Sequence, residues 1–259
     1  MAFEHIPVLL SETVALLNIK PQGIYVDGTL GGGGHSAEIA KCLGKSGLLI
    51  GIDQDGAAIA AAKEHLQSYG NKVALFKNNF ANIEEVLHSA NIAKVDGVLL
   101  DIGVSSHQLD EKERGFSYMA DTPLDMRMDT SSALPTAAKL VNTLPETELA
   151  NIIYRYGEER YSRRIAARIV EARQIKPIET TLELVDLIKK AMPKGKYEEQ
   201  HPAKRTFQAL RIAVNDELGV LEQALDAILP LLNPGGRVAV ITFHSLEDRI
   251  VKEKFKYWA

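Results

Sequence analysis

The sequence predicts an α/β fold with a parallel sheet. Short apolar runs alternate with helical segments in the first part of the chain, which is the pattern of a parallel sheet with helical crossovers. These runs lie at 24–26, 48–52, 73–76 and 95–100. After Asp101 the alternation stops, and it resumes near Lys204. We therefore expect a discontinuous α/β domain, residues 1–108 and 204–259, that carries an inserted, mainly helical domain at 109–203.

Before the first strand, the pattern indicates a short helix through Leu17, with Ser11 as its N-cap. The strand at 24–26 then ends in Asp27 and leads into a loop with four consecutive glycines, Gly31 to Gly34. A helix follows, and Ser36 is its expected N-cap. Strand, glycine loop and helix together bind nucleotide-like ligands above the carboxyl end of a parallel sheet.

The loop does not have the pattern of a phosphate-binding site. A P-loop needs Lys and a hydroxyl residue where this chain has Gly34 and His35, and the third glycine of a dinucleotide fingerprint is replaced by Ser36. The loop contains no Lys or Arg, which argues against a triphosphate ligand. The strand 48–53 ends in Asp53, an acid placed to accept hydrogen bonds from a ribose.

Asp53 suits NAD and S-adenosylmethionine (SAM) equally. SAM carries a sulfonium and an amino acid in place of a pyrophosphate, so a lysine-free pocket with Asp27, Asp53 and Asp101 suits SAM better. An NAD-dependent oxidoreductase is the alternative. Phe80 follows the third strand at its carboxyl end, where an aromatic ring can lie against an adenine, although a lone Phe is more often a core residue.

The predicted insert is helical from about 135 to 192, with Thr143 and either Thr180 or Thr181 as helix caps. Its segment 154–176 has seven basic residues against three acidic ones. A basic helix is often only a solvated face, but beside a SAM site it indicates a nucleic-acid substrate. The basic residues are Arg155, Arg160, Arg163, Arg164, Arg168, Arg173 and Lys176.

The α/β pattern resumes with a helix that runs from Lys204 to about Leu232, with Phe207, Leu210 and Val214 on one face. A tight turn at 232–237 then leads into a strand over 238–243. His244 follows this strand, at the same sheet edge as the other candidates, and a helix over 246–258 ends the sequence.

The composition restricts the possible functions. The chain has 259 residues and a net charge of −4, so nucleic-acid binding must use a local basic surface. The single Cys42 excludes an intrachain disulfide and fits a reducing cytoplasm. No apolar run is long enough to span a membrane, and the N-terminus has no signal-peptide pattern. The histidines lack metal-ligand spacing, so we expect no metal.

Taken together, the motifs resemble the RsmH (MraW) family, bacterial SAM-dependent methyltransferases of small-subunit ribosomal RNA. The resemblance covers the whole chain. It implies a Rossmann-like class I methyltransferase fold and N4-methylation of a cytosine in the decoding region of 16S rRNA, on the assembled small subunit. The motifs that carry it are HIPVLL at 5–10, DGT at 27–29 with GGH at 33–35, LDIGVSS at 100–106, QLD at 108–110, RGFS at 114–117, PLDMRMD at 123–129, YGEER at 156–160, HPA at 201–203 with RTFQA at 205–209, and FHSLEDR at 243–249.

By position, the resemblance implies seven SAM contacts: Gly33, Gly34, His35, Asp53, Phe80, Asp101 and Gln108. Members of the family usually continue beyond the point where this sequence ends, with strands that complete the sheet. We therefore expect the sheet to lack those last antiparallel strands.

Methyl transfer to a cytosine amine needs an acceptor for its N–H. Asp101 and the carbonyls of the loop after it are placed for this role, although Asp101 can equally serve the amino acid portion of SAM. Asp125, in a polar loop that opens the insert, is predicted to act on the target base, and His244 is the third catalytic candidate. A non-catalytic RNA-binding assembly factor that retains SAM is the other alternative.

Overall fold

The computed structural model describes residues 7–105, 108, 111–193 and 201–259. By their internal contacts these residues form two compact units, Met1–His107 with Leu218–Ala259, and Gln108–Glu217. The motifs at 5–10, 100–106 and 108–110 lie partly outside the described residues.

Helices and strands alternate in the first unit, whereas the second is helical. Among the described residues, no helix combines the length and the apolar composition that a membrane span needs. In chain order the elements are α1 Leu10–Leu17, β1 Ile24–Asp27, α2 Gly34–Cys42, β2 Leu48–Asp53, α3 Gly56–His65, β3 Val73–Lys77, α4 Ile83–Ser89, β4 Val95–Asp101, α5 Ala137–Thr143, α6 Glu146–Gly157, α7 Ser162–Arg173, α8 Thr181–Ala191, α9 Lys204–Asn215, α10 Glu217–Leu231, β5 Leu232–Ile241 and α11 Ser245–Trp258, with 3-10 turns at Gln67–Lys72, Phe80–Asn82 and Lys112–Arg114.

The five strands form one sheet in the order β3-β2-β1-β4-β5, and every neighbouring pair is parallel. The predicted α/β class is therefore confirmed. The chain moves outward from β1 to β3 and then continues on the other side of β1 with β4. Asp27 at the end of β1 lies opposite Gly51 and Leu99. A switch point of this kind opens a crevice at the carboxyl ends of the strands, where open α/β sheets bind ligands.

Helices cover both faces of this sheet. One apolar cluster joins Val26 and Val98 to α4, α10 and α11 through residues such as Leu87, Leu225 and Val251. The cluster on the opposite face joins Leu49 and Leu99 to α1 and α2 through Leu17 and Ile39. Because the strands are buried on both faces, their sequences are continuous apolar runs, and these runs made the strands predictable from the sequence.

The last strand begins earlier than the sequence predicts. The expected turn at 232–237 lies within β5, because Leu232 pairs with Val95 and Arg237 pairs with Gly97. The residues between them form an irregularity in the register, and Gly235 there has a φ of 77°. The turn-forming residues therefore bulge out of a strand that continues on both sides of them.

Two predicted helix caps are wrong. Helix α2 begins at Gly34 with Gly33 as its N-cap, so Ser36 lies inside the first turn. Helix α1 has Leu9 as its N-cap, and Ser11 lies within the helix. In both cases the chain enters the helix through a left-handed residue, which moves the start of the helix ahead of the serine.

Within the second unit, Thr180 caps α8 as predicted, in a capping box with Glu183. Thr143, in contrast, ends α5, while Thr136 caps that helix and Pro145 precedes α6.

Helix α9 buries Phe207, Leu210 and Val214, as predicted, and it packs against α6. The second boundary between the units therefore falls after Glu217, whereas the sequence indicated a boundary before Lys204. The single helix predicted from Lys204 to about Leu232 is instead two helices, which are separated at Asp216 with a φ of 48°, and only its packing assigns the first of them to the second unit.

Candidate functional site

Asp27 anchors the start of the glycine loop. It is 1% exposed, and its carboxylate accepts hydrogen bonds from Ser36 Oγ at 2.7 Å and from the Thr29 amide at 3.2 Å. Burial raises the pKa of Asp27, while Ser36 and the neighbouring His35 lower it. Because both hydrogen bonds lie within the loop and its helix, Asp27 holds the loop in shape.

The glycine loop leaves the start of α2 open. Gly33 has a φ of 81° and no side chain caps the helix, so backbone N–H groups of the first turn are available to a ligand. Gly32 has no positive φ, and a Cβ built there would meet no described atom within 4 Å. Packing within the protein therefore does not require glycine at position 32. A ligand that lies close to the backbone there would require it, because a side chain would fill the same space.

Asp53 at the end of β2 is held by backbone amides. Its Oδ2 accepts from Gly31 N at 2.8 Å and its Oδ1 accepts from Asp55 N at 2.9 Å. Burial, despite these two hydrogen bonds, raises the pKa of Asp53 to about 6. Each carboxylate oxygen has a further lone pair, so this oriented group is able to accept the two hydroxyls of a ribose.

His35 and Asp101 approach each other at the centre of the sheet edge. The His35 Nδ1 atom lies 3.6 Å from Asp101 Oδ2, and its Nε2 lies 3.0 Å from the Val8 carbonyl oxygen. The Asp101 amide donates to Thr29 Oγ1 at 2.6 Å. The side chain of His35 is 6% exposed and that of Asp101 is 24% exposed, so a ligand can reach the carboxylate.

Phe80 lies in the 3-10 turn that follows β3 and is half-buried. Its Cβ lies 3.1 Å from the position of a Cβ at Gly28, so the ring belongs to the neighbourhood of the glycine loop. It also packs against the apolar cluster of the sheet. The ring therefore has a core contact as well as a place at the sheet edge.

His244 follows β5 and is the N-cap of α11. Its Nδ1 accepts from the Glu247 amide at 3.5 Å, and its Nε2 lies 3.1 Å from Glu247 Oε1. Glu247 completes the capping box by accepting from the amides of Phe243 and His244. Since Ile241 pairs with Asp101, His244 lies beyond the same edge of the sheet. Its catalytic role stays a prediction.

Asp125 and Gln108 belong to the second unit. Asp125 accepts two hydrogen bonds from the Arg127 guanidinium, both at 2.8 Å, and one from the Arg127 amide at 3.0 Å. Burial alone would raise the pKa of Asp125, but these bonds and the charges of Arg127 and Arg114 hold it below its usual value. Asp125 therefore orders its own loop. Gln108 is buried, and the roles of both residues stay predictions.

Sequence reasoning missed the residues that hold this loop. Asn215 accepts from the Met128 amide at 2.8 Å and donates to the Met126 and Arg211 carbonyls at 2.8 and 2.9 Å. The buried Arg114 donates to the Met128 carbonyl at 2.8 Å. Asn215 and Met128 are 87 positions apart, so no local pattern signals their contact.

Comparison with known proteins identifies the class. The MraW methylase family matches residues 2–259. The chain belongs to this family. A ribosomal RNA small subunit methyltransferase H from Heliobacterium modesticaldum is 59% identical over 257 residues, which is 98% of this chain and 82% of the relative. Proteins with the same name from Symbiobacterium thermophilum and Clostridioides difficile are 57% and 56% identical and align with the whole chain, which covers 81% and 83% of them.

Family membership confirms the resemblance that the motifs indicated. It also confirms the predicted Rossmann-like class I methyltransferase fold and SAM as the cofactor. The oxidoreductase alternative is thereby excluded. The open helix start, the uncrowded Gly32 and the oriented Asp53 fit SAM, because a ribose needs carboxylate acceptors and the glycine loop carries no Lys or Arg that would repel a sulfonium.

Proposed function

We propose that this protein methylates N4 of a cytosine in the decoding region of 16S rRNA, within the small ribosomal subunit and in the cytoplasm. The names of its relatives support rRNA of the small subunit as the substrate. The observation that carries the proposal is the partly exposed carboxylate of Asp101 beside the glycine loop. The motif resemblance supplies the base and its position.

In this proposal the sheet edge holds the cofactor through groups of different chemistry. Asp53 accepts the ribose hydroxyls, and Gly33 and Gly34 let the ligand approach the start of α2, where the amides of the first turn have no side-chain cap. Phe80 contacts the adenine, and His35 orients Asp101. SAM supplies an activated methyl group on a sulfonium. Asp27, Asp53 and Asp101 make this edge acidic, which favours the cationic sulfonium and ammonium groups over a phosphate.

Asp101 is the proposed acceptor for the target amine. The lone pair of a cytosine amine is delocalised into the ring, so the amine is a weak nucleophile and must lose a proton as the new bond forms. A carboxylate or a backbone carbonyl that holds the N–H orients the lone pair, and the carboxylate can then take the proton. Asp101 and the carbonyls after it provide such acceptors, and His244 is a second candidate at this edge. A stacked base must leave its neighbours to reach them.

The test is methylation of small subunits that lack the modification, with tritiated SAM, followed by digestion to nucleosides. We expect label in N4-methylcytidine for the wild type and a large loss for Asp101→Asn. Label in another nucleoside would contradict the proposed target. SAM binding without single-turnover transfer would favour the alternative, an RNA-binding assembly factor.

A further inference from the structure

The basic residues at 155–176 and 204–205 fall into two groups. In the first group the cations are engaged within the unit: Arg168 pairs with Glu171 at 2.7 Å, Arg173 donates to the Val141 carbonyl at 2.7 Å, and Lys176 pairs with Glu183. These cations have partners already, so each would have to exchange a partner for a ligand.

The second group is exposed and forms no ion pair with any other described residue. Arg205 in this group donates to a carbonyl, as Arg173 does, but from an exposed position. Arg164 in this group lies over the ring of Tyr161, with its guanidinium carbon 6.0 Å from the ring centroid, which keeps the cation extended on the surface. We name these residues the junction cations; they are Arg155, Arg160, Arg163, Arg164, Lys204 and Arg205.

The junction cations come from three helix ends that meet at one place. Arg205 Nη1 donates to the Glu158 carbonyl at 2.9 Å, just after the end of α6. A Cβ at Gly157 would lie 2.5 Å from the Arg205 carbonyl oxygen, so α9 begins in direct contact with the end of α6. The Ser162 amide, at the start of α7, donates to the Glu159 carbonyl at 3.2 Å.

The charges at these helix ends oppose the usual preference. Acidic residues and side-chain caps stabilise a helix start, whereas cations there are unfavourable. Helices α7 and α9 have no acid in the first turn and no side-chain cap, and each has two cations there. Helices α5 and α8 of the same unit are capped by Thr136 and Thr180.

The neighbouring acids do not neutralise this surface. Glu159 is 4% exposed, and its Oε1 accepts from the Tyr161 amide at 2.8 Å. Glu158 is the other acid in the connection between α6 and α7, so among the described residues named here six cations stand against two carboxylates. An anion bound at this surface would meet guanidinium groups and two open helix starts together, and both favour phosphate oxygens.

We propose that the junction cations bind consecutive phosphates of the rRNA substrate. This inference rests on the proposed function and extends it: the substrate is positioned by its backbone at the meeting point of α6, α7 and α9, and the engaged cations Arg168, Arg173 and Lys176 take no part. Arginine suits this task because its planar fork holds a phosphate through two hydrogen bonds.

The test compares two triple variants that remove the same charge from the same stretch of chain. The junction variant is Arg160→Gln with Arg163→Gln and Arg164→Gln, and the control is Arg168→Gln with Arg173→Gln and Lys176→Gln. The probe is a fluorescein-labelled, single-stranded 20-nucleotide oligouridylate, titrated at several salt concentrations. SAM affinity and circular dichroism verify that each variant is folded.

The dependence of log K on log salt should become shallower by about 2 for the junction variant, because about 0.7 is lost per phosphate contact. The control should change by less than half as much. Arg163→Gln alone should lower the slope by about 0.7, which gives a second measurement if the triple variant does not fold. The inference would be overturned if the slope were unchanged in the junction variant, or if it changed equally in the control variant.

Methylation of small subunits separates this inference from the proposed function. If the junction variant loses salt dependence but the wild type forms no N4-methylcytidine, phosphate binding by the junction cations is supported and the proposed target is wrong. If N4-methylcytidine forms and the two triple variants bind alike, the target stands and the surface fails.

Discussion

His35 faces Asp101 across the edge of the sheet, with Nδ1 3.6 Å from the carboxylate oxygen Oδ2. Its other ring nitrogen lies 3.0 Å from the Val8 carbonyl oxygen, which can only accept, so Nε2 carries a proton. One imidazole therefore joins the segment before α1, the start of α2 and the end of β4. His35, which the resemblance assigned to the cofactor, is therefore also a contact between three segments of the fold.

We expect His35→Ala to lower the free energy of unfolding by about 1–3 kcal/mol, because it removes a buried ring and its hydrogen bond to Val8. His35→Gln keeps a donor of similar length and should lose at most half as much. Urea unfolding measures both variants. An alanine variant as stable as the wild type would show that this contact adds nothing to the fold.

Asp53→Ala should weaken SAM binding roughly ten- to a hundred-fold, since charge-assisted hydrogen bonds contribute about 1.5–3 kcal/mol. Isothermal titration calorimetry is the measurement. Asp55→Asn is the matched control: Asp55 caps α3 through the Ala57 amide, and asparagine caps equally well. Its SAM affinity should stay within about threefold of the wild type. Unchanged affinity in a folded Asp53→Ala protein would remove Asp53 from the site.

The pH dependence of stability should also reveal Asp53. Its folded pKa is about 6 against an ordinary value of 3.8, so between these values the folded state holds more protons and loses stability as the pH rises. Asp53→Asn lacks this loss. The difference in the free energy of unfolding between variant and wild type should therefore shift in favour of the variant by on the order of 1–3 kcal/mol from pH 4 to pH 7. Unfolding curves of the SAM-free proteins at both pH values test this, and a constant difference would contradict it.

Asp101→Asn and Asp125→Asn should separate two roles. Asp101 lies at the sheet edge, and we expect its variant to lose both SAM affinity and turnover. Asp125 contacts Arg127 in its own loop, so its variant should keep SAM affinity within about twofold while turnover falls at least about tenfold. Calorimetry and steady-state methylation measure the two quantities. Loss of SAM binding in Asp125→Asn, with normal binding in Asp101→Asn, would reverse the assignment.

Asn215→Ala should destabilise the second unit by about 2 kcal/mol or more, because two buried backbone groups and one half-buried carbonyl lose a hydrogen bond. Met126 has a φ of 64°, so this clamp also holds a strained turn. Asn215→Asp keeps the acceptor for the Met128 amide but not the two donated bonds, and it should also be less stable than the wild type. Thermal unfolding of both variants is the check.

The sequence predicted the parts of the fold that depend on neighbouring residues. The strands ending at Asp27, Asp53 and Asp101 are continuous apolar runs because the sheet is covered on both faces. The cap at Thr180 and the apolar face of α9 follow from spacing within one helix. The glycine loop was recognisable because helix, loop and strand are adjacent in the chain.

Packing decided what these patterns could not. Ser36 has a good cap sequence, but Asp27 is buried beneath α2 and takes its hydroxyl. Asp125 looked like a reactive acid, but the nearest cation is two residues away and occupies both of its oxygens. The arginines at 154–176 read as one basic face, and only the neighbours of each side chain distinguish the engaged cations from the exposed ones.

By itself, the sequence determined the α/β class, the strand ends that carry acids and the glycine loop that suits SAM. Each of these features depends only on residues that are adjacent along the chain or one helical turn apart. Only the tertiary structure decided how Asp101, Thr29 and His35 meet, which residue holds the 123–129 loop, and where the units divide. These contacts join residues as far as 72 and 87 positions apart, as in Asp101 to Thr29 and Asn215 to Met128. A hydrogen bond requires its two partners within about 3.5 Å in space, whatever their separation in sequence.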